Sequence, residues 1–263
     1  MSILEQITSA VMATVEEKKI DFEYRRALNT RFASAVLRSP LPFPGRGVDN
    51  TVIAEVKMNS PTKGRLAREG DSPALIASQY IDGGAAAISV LTEPVYFEGD
   101  VRHLEDVRAV ADETPVLMKD FVLDKLQIQE ARAYGADGVL LIAYLLQDRL
   151  DEYLEYAKSI GLWALVETHS KSDIKFALDC EADIIGVNNR DFVKGNVDLD
   201  ASIKLCQFVP DDRVFVVESG IAYPEDVRYL MDSCTRKPDA YLVGTALMNS
   251  EDKASAVRSL VDA

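Results

Sequence analysis

Eight short apolar runs punctuate the chain, and most close on a charged or amide residue that a plain core would reject. They are TVIAEVK (51–57), AAISVL (86–91), PVLMKD (115–120), DGVLLIA (137–143), LWALVE (162–167), DIIGVN (183–188), RVFVVES (213–219) and DAYLVG (239–244). Near-continuous Val/Ile/Leu marks strands covered on both faces, as in a parallel sheet. Helix-prone segments alternate with them at 72–84, 101–113, 124–135, 148–161, 170–180, 199–209, 224–234 and 251–263. Ser72 ahead of Pro73, Asp124, Asp148 and Ser170 read as N-caps. Gly135 and Gly161 read as the residues that end helices in a left-handed turn.

Strand–helix alternation implies parallel strands joined by right-handed crossovers. Eight such units predict an α/β fold, a single (β/α)8 TIM barrel. An open doubly wound sheet is the rival; it would favour a GxGxxG turn after its first strand, and none is present. Residues 1–50 stand outside the repeat as an N-terminal helical extension, so 1–263 reads as one barrel domain with that addition. Within it, 3–22 carries Ile3, Ile7, Val11, Val15 and Ile20 near one helical stripe, and 24–38 is a second helical piece. SPLPFPGRGVDN (39–50) is a loop leading to the first strand. The extension either covers the barrel's N-terminal end or crosses the opposite mouth, and periodicity does not choose between them.

Glu55, Lys57, Lys119, Glu167, Asn188 and Glu218 sit at or near the C-terminal ends of the runs. Lys and Glu are almost never buried without a partner, and barrel enzymes carry their reacting groups at that end. Glu55 and Lys57, at i and i+2, share one face of the first strand. Taken singly, that pair reads equally as a strand-end salt bridge, and Lys119 as a surface lysine. Six such residues at one end of a sheet predict a shared polar site. A lysine among apolar neighbours suits a general acid, and Glu167 and Glu218 can divide acid–base roles if their environments separate their pKa values. Ser219-Gly220 and Gly244-Thr245 follow the seventh and eighth runs, where barrel phosphate sites form. SPTKG (60–64) adds the Ser60 hydroxyl and the Lys63 cation.

Composition narrows the function classes. At 263 residues, 48% hydrophobic and 27% charged, the chain is ordinary for a globular protein. No apolar run approaches the roughly 20 residues of a membrane span, and the N-terminus lacks the basic and apolar regions of a signal peptide. A cytoplasmic location with no membrane partner is expected. A net charge of −14 argues against nucleic acid, and an anionic substrate then needs a locally basic site. Lys57, Lys63 and Lys119 are the candidates. Three cysteines and two histidines stand in no metal-ligand spacing, so no metal site is expected. Cys180, Cys206 and Cys234 read as core, Trp163 as packing at a strand's N-terminal end, and His169 as a surface residue or one behind the site. The carboxylates of EPVYFEGDVRHLED read as a solvated loop and helix start.

Eight words give the pattern a family likeness. IAEVKMNSPTKG, LTEPVYFEG, PVLMKDFVLDKLQI, DGVLLIAYLL, ALVETHS, IGVNNRDF, VVESGI and YLVGTALM follow in order over 50–248. In these the chain resembles the indole-3-glycerol-phosphate synthase family, barrel enzymes of tryptophan biosynthesis. The resemblance implies ring closure of 1-(2-carboxyphenylamino)-1-deoxyribulose 5-phosphate with loss of CO2 and water. It implies a phosphorylated small molecule as partner and no cofactor, and leaves oligomeric state open. Carried over, Lys119 would be the general acid on the ribulose carbonyl, and Glu167 the general base in the dehydration. Lys57 would pair with the substrate carboxylate, while Glu55, Asn188 and Glu218 would orient these groups and the ribulose hydroxyls. Ser60, Ser219, Gly220, Gly244 and Thr245 would hold phosphate. Phe97, Phe121 and Ile142 would wall the aromatic ring, and Arg190 belongs with the substrate-binding set. Met58-Asn59 and Thr245-Ala246 depart from the family's usual residues, but no main catalytic position is lost. Two other functions fit a barrel of this kind. A phosphosugar isomerase would be expected to use a cysteine–aspartate pair where this chain has Glu-Val-Lys. A repurposed barrel that acts on a related substrate, or only binds it, would have little reason to keep Lys119 and Glu167.

Overall fold

The computed structural model describes residues 2–44, 50–191 and 195–263. Eight parallel strands close into a barrel: β1 (Val52–Val56), β2 (Ala87–Leu91), β3 (Val116–Lys119), β4 (Gly138–Ile142), β5 (Trp163–Thr168), β6 (Ile184–Asn188), β7 (Val214–Glu218) and β8 (Ala240–Val243). Closure comes from β1, which pairs with β2 on one side (Glu55 opposite Ser89) and β8 on the other (Ala54 opposite Val243). The extension forms α1 (Ile3–Ile20) and α2 (Phe22–Ala35); the barrel helices are α3 (Pro73–Asp82), α4 (His103–Arg108), α5 (Lys125–Ala133), α6 (Leu150–Ser159), α7 (Lys171–Asp179), α8 (Asp200–Leu205), α9 (Pro224–Ser233) and α10 (Lys253–Val261).

Strand alternation sorts the residues into two layers. Val52, Ala54, Val56, Ile88, Val90, Met118, Val139 and Leu141 pack outward in the cluster between strands and helices. Ile53, Leu117, Leu140, Leu165, Val216 and Leu242 fill the barrel interior. Continuing each inward row by two residues reaches Glu55, Lys119, Ile142, Glu167, Glu218 and Gly244 in turn. The interior is therefore apolar at depth and polar at the C-terminal rim.

The extension touches both ends of the barrel. Leu4, Ile7, Val11 and Val15 of α1 join the interior cluster that includes Phe121, Leu123 and Ile142, so α1 lies over the C-terminal mouth. Leu4, not Ile3, completes the stripe; Ile3 is 40% and Ile20 83% exposed, because both fall beside the buried line. Lys18 pairs with Glu130 and Lys19 with Asp124, holding α1 to α5. After α2 the chain reaches the opposite end, where the Trp163 Nε1–H donates to the Leu41 carbonyl at 3.1 Å and Phe43 meets the Trp163 ring edge-on. There the buried Asp137 carboxylate accepts from Arg38, Arg108 and the amides of Leu41 and Val116. Residues 45–49 of the predicted loop lie outside the described residues.

Ser72, Asp124 and Ser170 cap their helices, and Gly135 and Gly161 adopt positive φ. Asp148 does not cap: a short 3-10 turn, Gln147–Arg149, precedes α6 and moves its start beyond Asp148. Several helices are shorter than their apolar pattern, α4 most clearly, since turns on either side use the remaining residues. Cys206 and Cys234 are buried, and Cys180 packs half-buried against the outer cluster.

Candidate active site

A cavity of about 620 Å³ opens at the C-terminal rim. Lys119 lines it, ringed by carboxylates. Its ammonium lies 3.5 Å from Glu55, 3.6 Å from Glu218 and 3.9 Å from Glu167, three carboxylates delivered by β1, β7 and β5. Lys57 adds a 2.6 Å ion pair to Glu55, so the strand-end salt bridge and the shared site are the same arrangement. Two glycines make room for it. A side chain at Gly244 would run into the Glu55 carboxylate, and one at Gly186 into that of Glu218.

These carboxylates are buried, and their partners set their protonation. Burial pushes the Glu55 pKa up, but Lys57 and Lys119 outweigh it and hold the group below the ordinary range. Burial also opposes ionisation of Glu167. Hydrogen bonding from His169 and Asn188, with the charges of Lys119 and His169, brings its pKa down instead. Among the described residues Glu218 has no second cation. Burial, Glu167 and Glu55 push it up to about 8 against the single attraction of Lys119, and neither of its oxygens finds a donor among the described residues. Burial disfavours the Lys119 charge, yet the three carboxylates outweigh burial and raise its pKa. Around the Lys119 ammonium, then, Glu55 and Glu167 are held toward the ionised form and Glu218 keeps its proton near neutrality.

Opposite sides of the mouth differ in character. On the β2–β4 side, Phe97 and Phe121 set their rings 6.1 Å apart beside Ile142 and Leu140. On the β7–β8 side, Ser219, Gly220, Gly244 and Thr245 line the cavity with Asn249. Ser219 and Gly220 both have positive φ, and a side chain at Gly220 would meet Val197 and Leu199. Lys57, Lys63 and Arg190 complete the rim, so it is locally basic within an acidic chain.

A sequence model of the indole-3-glycerol phosphate synthase family matches residues 2–260. The chain belongs to the indole-3-glycerol phosphate synthase family. Relatives of that name include those of Methanocaldococcus jannaschii, 38% identical over 94% of this chain and 88% of its own, and Kineococcus radiotolerans, 41% identical over 100% and 96%. That of Endomicrobium trichonymphae is 39% identical over 99% and 100%. Among solved structures, 3-hexulose-6-phosphate synthase from Salmonella typhimurium superposes with TM-score 0.64 at 16% identity, covering 80% of this chain and 96% of that one. Thiamine phosphate pyrophosphorylase from Pyrococcus furiosus gives 0.60 at 19%, covering 80% and 93%; both likenesses concern the fold alone.

Of the residues that the family resemblance singles out, all but Ser60 and Glu218 line the cavity directly, and Glu218 reaches it through Lys119. Ser60 instead sits in a short hairpin, Asn59–Ser60 paired with Gly64–Arg65, its hydroxyl 3.3 Å from that of Thr62. Lys63, from the turn of that hairpin, is the residue that reaches the cavity. Sequence reasoning left one contributor open and missed another. His169, read as a surface residue or one behind the site, takes the second place: it contacts Glu167 at 3.0 Å across the i, i+2 spacing of one strand face. Glu93 is fully buried rather than solvated, and accepts the amides of Val95, Tyr96 and Phe97, shaping the loop that presents Phe97. No spacing rule announces such a loop.

Proposed function

We propose that the chain closes the indole ring of 1-(2-carboxyphenylamino)-1-deoxyribulose 5-phosphate, releasing CO2 and water to give indole-3-glycerol phosphate in tryptophan biosynthesis. The observation that carries this reading is the Lys119 ammonium, held charged among three carboxylates beside an aromatic wall. Family membership supports it.

In this reading the anthranilate ring lies against Phe97, Phe121 and Ile142, and the phosphate is held by the turns at Ser219–Gly220 and Gly244–Thr245 with Lys63. Lys57 and Arg190 take the carboxylate. A substrate tethered at both ends is bent so that its ring carbon meets the ribulose carbonyl, a positioning effect that can rival the chemistry in size. Lys119 protonates the carbonyl oxygen as the carboxylate-bearing ring carbon forms the new C–C bond. The C–CO2 bond then breaks, and its electron pair restores the aromatic ring. Glu167 removes a proton from the methylene carbon next to nitrogen while the new hydroxyl, taking a proton from the Lys57 ammonium freed by decarboxylation, leaves as water, which forms the indole double bond. Asn188, Glu55 and Glu218 orient these groups, and protonated Glu218 can donate to a ribulose hydroxyl.

Residues 1–263 act as one unit in this account, because α1 covers the mouth of the barrel. Among the described residues no helix is long and apolar enough to cross a membrane, and a cytoplasmic location suits a soluble phosphorylated substrate.

Lys119→Ala tests the assignment. Loss of a general acid predicts a fall in kcat of about 10²-fold or more, with substrate binding retained by calorimetry. Turnover within a few-fold of the parent removes Lys119 from the chemistry.

A further inference from the structure

We propose that His169 is a positioning residue for Glu167: its Nε2–H donates to Glu167 Oε1, which turns the other oxygen, Oε2, toward Lys119 and the substrate cavity. This rests on the reading of Glu167 as the general base.

The two oxygens of Glu167 have different neighbours. Oε1 lies 3.0 Å from His169 Nε2, and Oε2 faces Lys119 Nζ at 3.9 Å. Asn188 also bonds this carboxylate, but with Oε1 engaged by His169, Oε2 is the oxygen on the Lys119 side and the one placed to take a proton. The histidine is itself held firmly. Its backbone N–H donates to Asp173 Oδ2 at 3.0 Å, and the Asp173 amide donates to the Ser170 hydroxyl at 3.1 Å, so the N-terminal cap of α7 anchors the backbone that carries the ring. Thr168, between the pair, donates its hydroxyl to the Gly186 carbonyl at 2.7 Å and fixes the register to β6.

The ring also marks a boundary. Glu167 is almost completely buried, whereas the His169 side chain keeps 19% exposure. It lines a neighbouring cleft of about 790 Å³ beneath the start of α1, which shares Asn188 and Arg190 with the active-site cavity. The charged groups acting on the ring are Glu167, Asp173 and Lys119, with Glu5, Arg190, Asp191 and Asp198 lining the same cleft. Burial lowers the His169 pKa, but Glu167 and Asp173 outweigh it and raise it above the ordinary value. An imidazolium beside Glu167 favours its ionised form, the form a base requires. Loss of the ring charge at higher pH leaves the Nε2–H tautomer still able to donate.

The chain contains only two histidines, His103 and His169, so imidazole NMR resolves each after one substitution. In the parent, His169 is expected to titrate above 6.5, and in Glu167→Gln to fall back to that value or below it. An unchanged His169 titration in Glu167→Gln would overturn the proposal; this arm needs neither turnover nor a His169 variant. In kinetics, His169→Ala is expected to lower kcat about tenfold or more with KM within about twofold, and to move the acid limb of the kcat–pH profile upward. His169→Gln, which keeps a side-chain N–H at similar reach, recovers most of both. His169→Ala with the parent's kcat and acid limb, or His169→Gln as impaired as His169→Ala, refutes positioning through the donor. An inactive Glu167→Gln alongside a normal His169→Ala sinks this inference alone, whereas a fully active Glu167→Gln sinks the base assignment and the inference with it.

Discussion

Glu55, Glu167 and Glu218 carry the same functional group to the same rim, and their partners make them chemically different. Glu55 has two lysines, Glu167 has a lysine and a histidine, and Glu218 shares one lysine with two competing carboxylates. Burial magnifies each difference, because a charge removed from water depends on its neighbours. For Glu218, burial and the Glu167 and Glu55 charges hold the proton to about 8, while the unfolded chain releases it near 4.5. Between those pH values the folded state binds the extra proton, so its stability falls as pH rises from one to the other. Glu218→Gln has no proton to lose. Urea unfolding at pH 5 and pH 8 is therefore expected to move in favour of the variant, relative to the parent, by about 1.4 kcal/mol or more, the worth of one pKa unit. Equal pH dependence in the two proteins would contradict a raised Glu218 pKa. The sequence exposed the carboxylates and their shared end of the sheet. It did not rank their protonation, because that ranking depends on which strand faces which across the barrel.

The strands were the most readable elements. Near-continuous apolar runs gave their number and their order along the chain, and the charged residues at the run ends pointed to one shared site, where the barrel brings Lys119 and Glu167 into one cavity. Loops were less readable. Ser60 and Lys63 belong to one turn, but the hairpin pairing of Asn59 with Arg65 decides which of them faces the cavity. The position of α1 was also beyond periodicity, since a stripe shows that a helix is covered and not by what. In the fold, Val11 and Val15 are buried against the mouth, with 4% and 2% exposure. Replacing both by alanine is expected to remove about 1–3 kcal/mol of packing per site. Amide exchange should then quicken in residues 3–20 while the β1–β8 amides keep their protection, and KM should rise about threefold or more. Unchanged exchange in α1 would show that this stripe does not hold the helix down.

At the scale of the whole molecule, the extension belongs to both ends of the barrel. α1 covers the rim, α2 runs beside α5, and the segment after it closes the base around Asp137 and Trp163. The two sequence readings of the extension, base cover or mouth cover, are each true of one part of it. The acidic chain concentrates Lys57, Lys63, Lys119 and Arg190 at one opening, which suits an anionic substrate against a net charge of −14. The family words made the barrel and its chemistry recognisable, whereas the His169 contact and the path of the extension needed the fold. The central claim is that this barrel closes an indole ring. Its most direct test is indole fluorescence and released CO2, followed together from purified protein and 1-(2-carboxyphenylamino)-1-deoxyribulose 5-phosphate. Indole and CO2 are expected to appear in equal amounts, and both to be lost in Lys119→Ala. A folded protein that binds this substrate but yields neither product would contradict the claim.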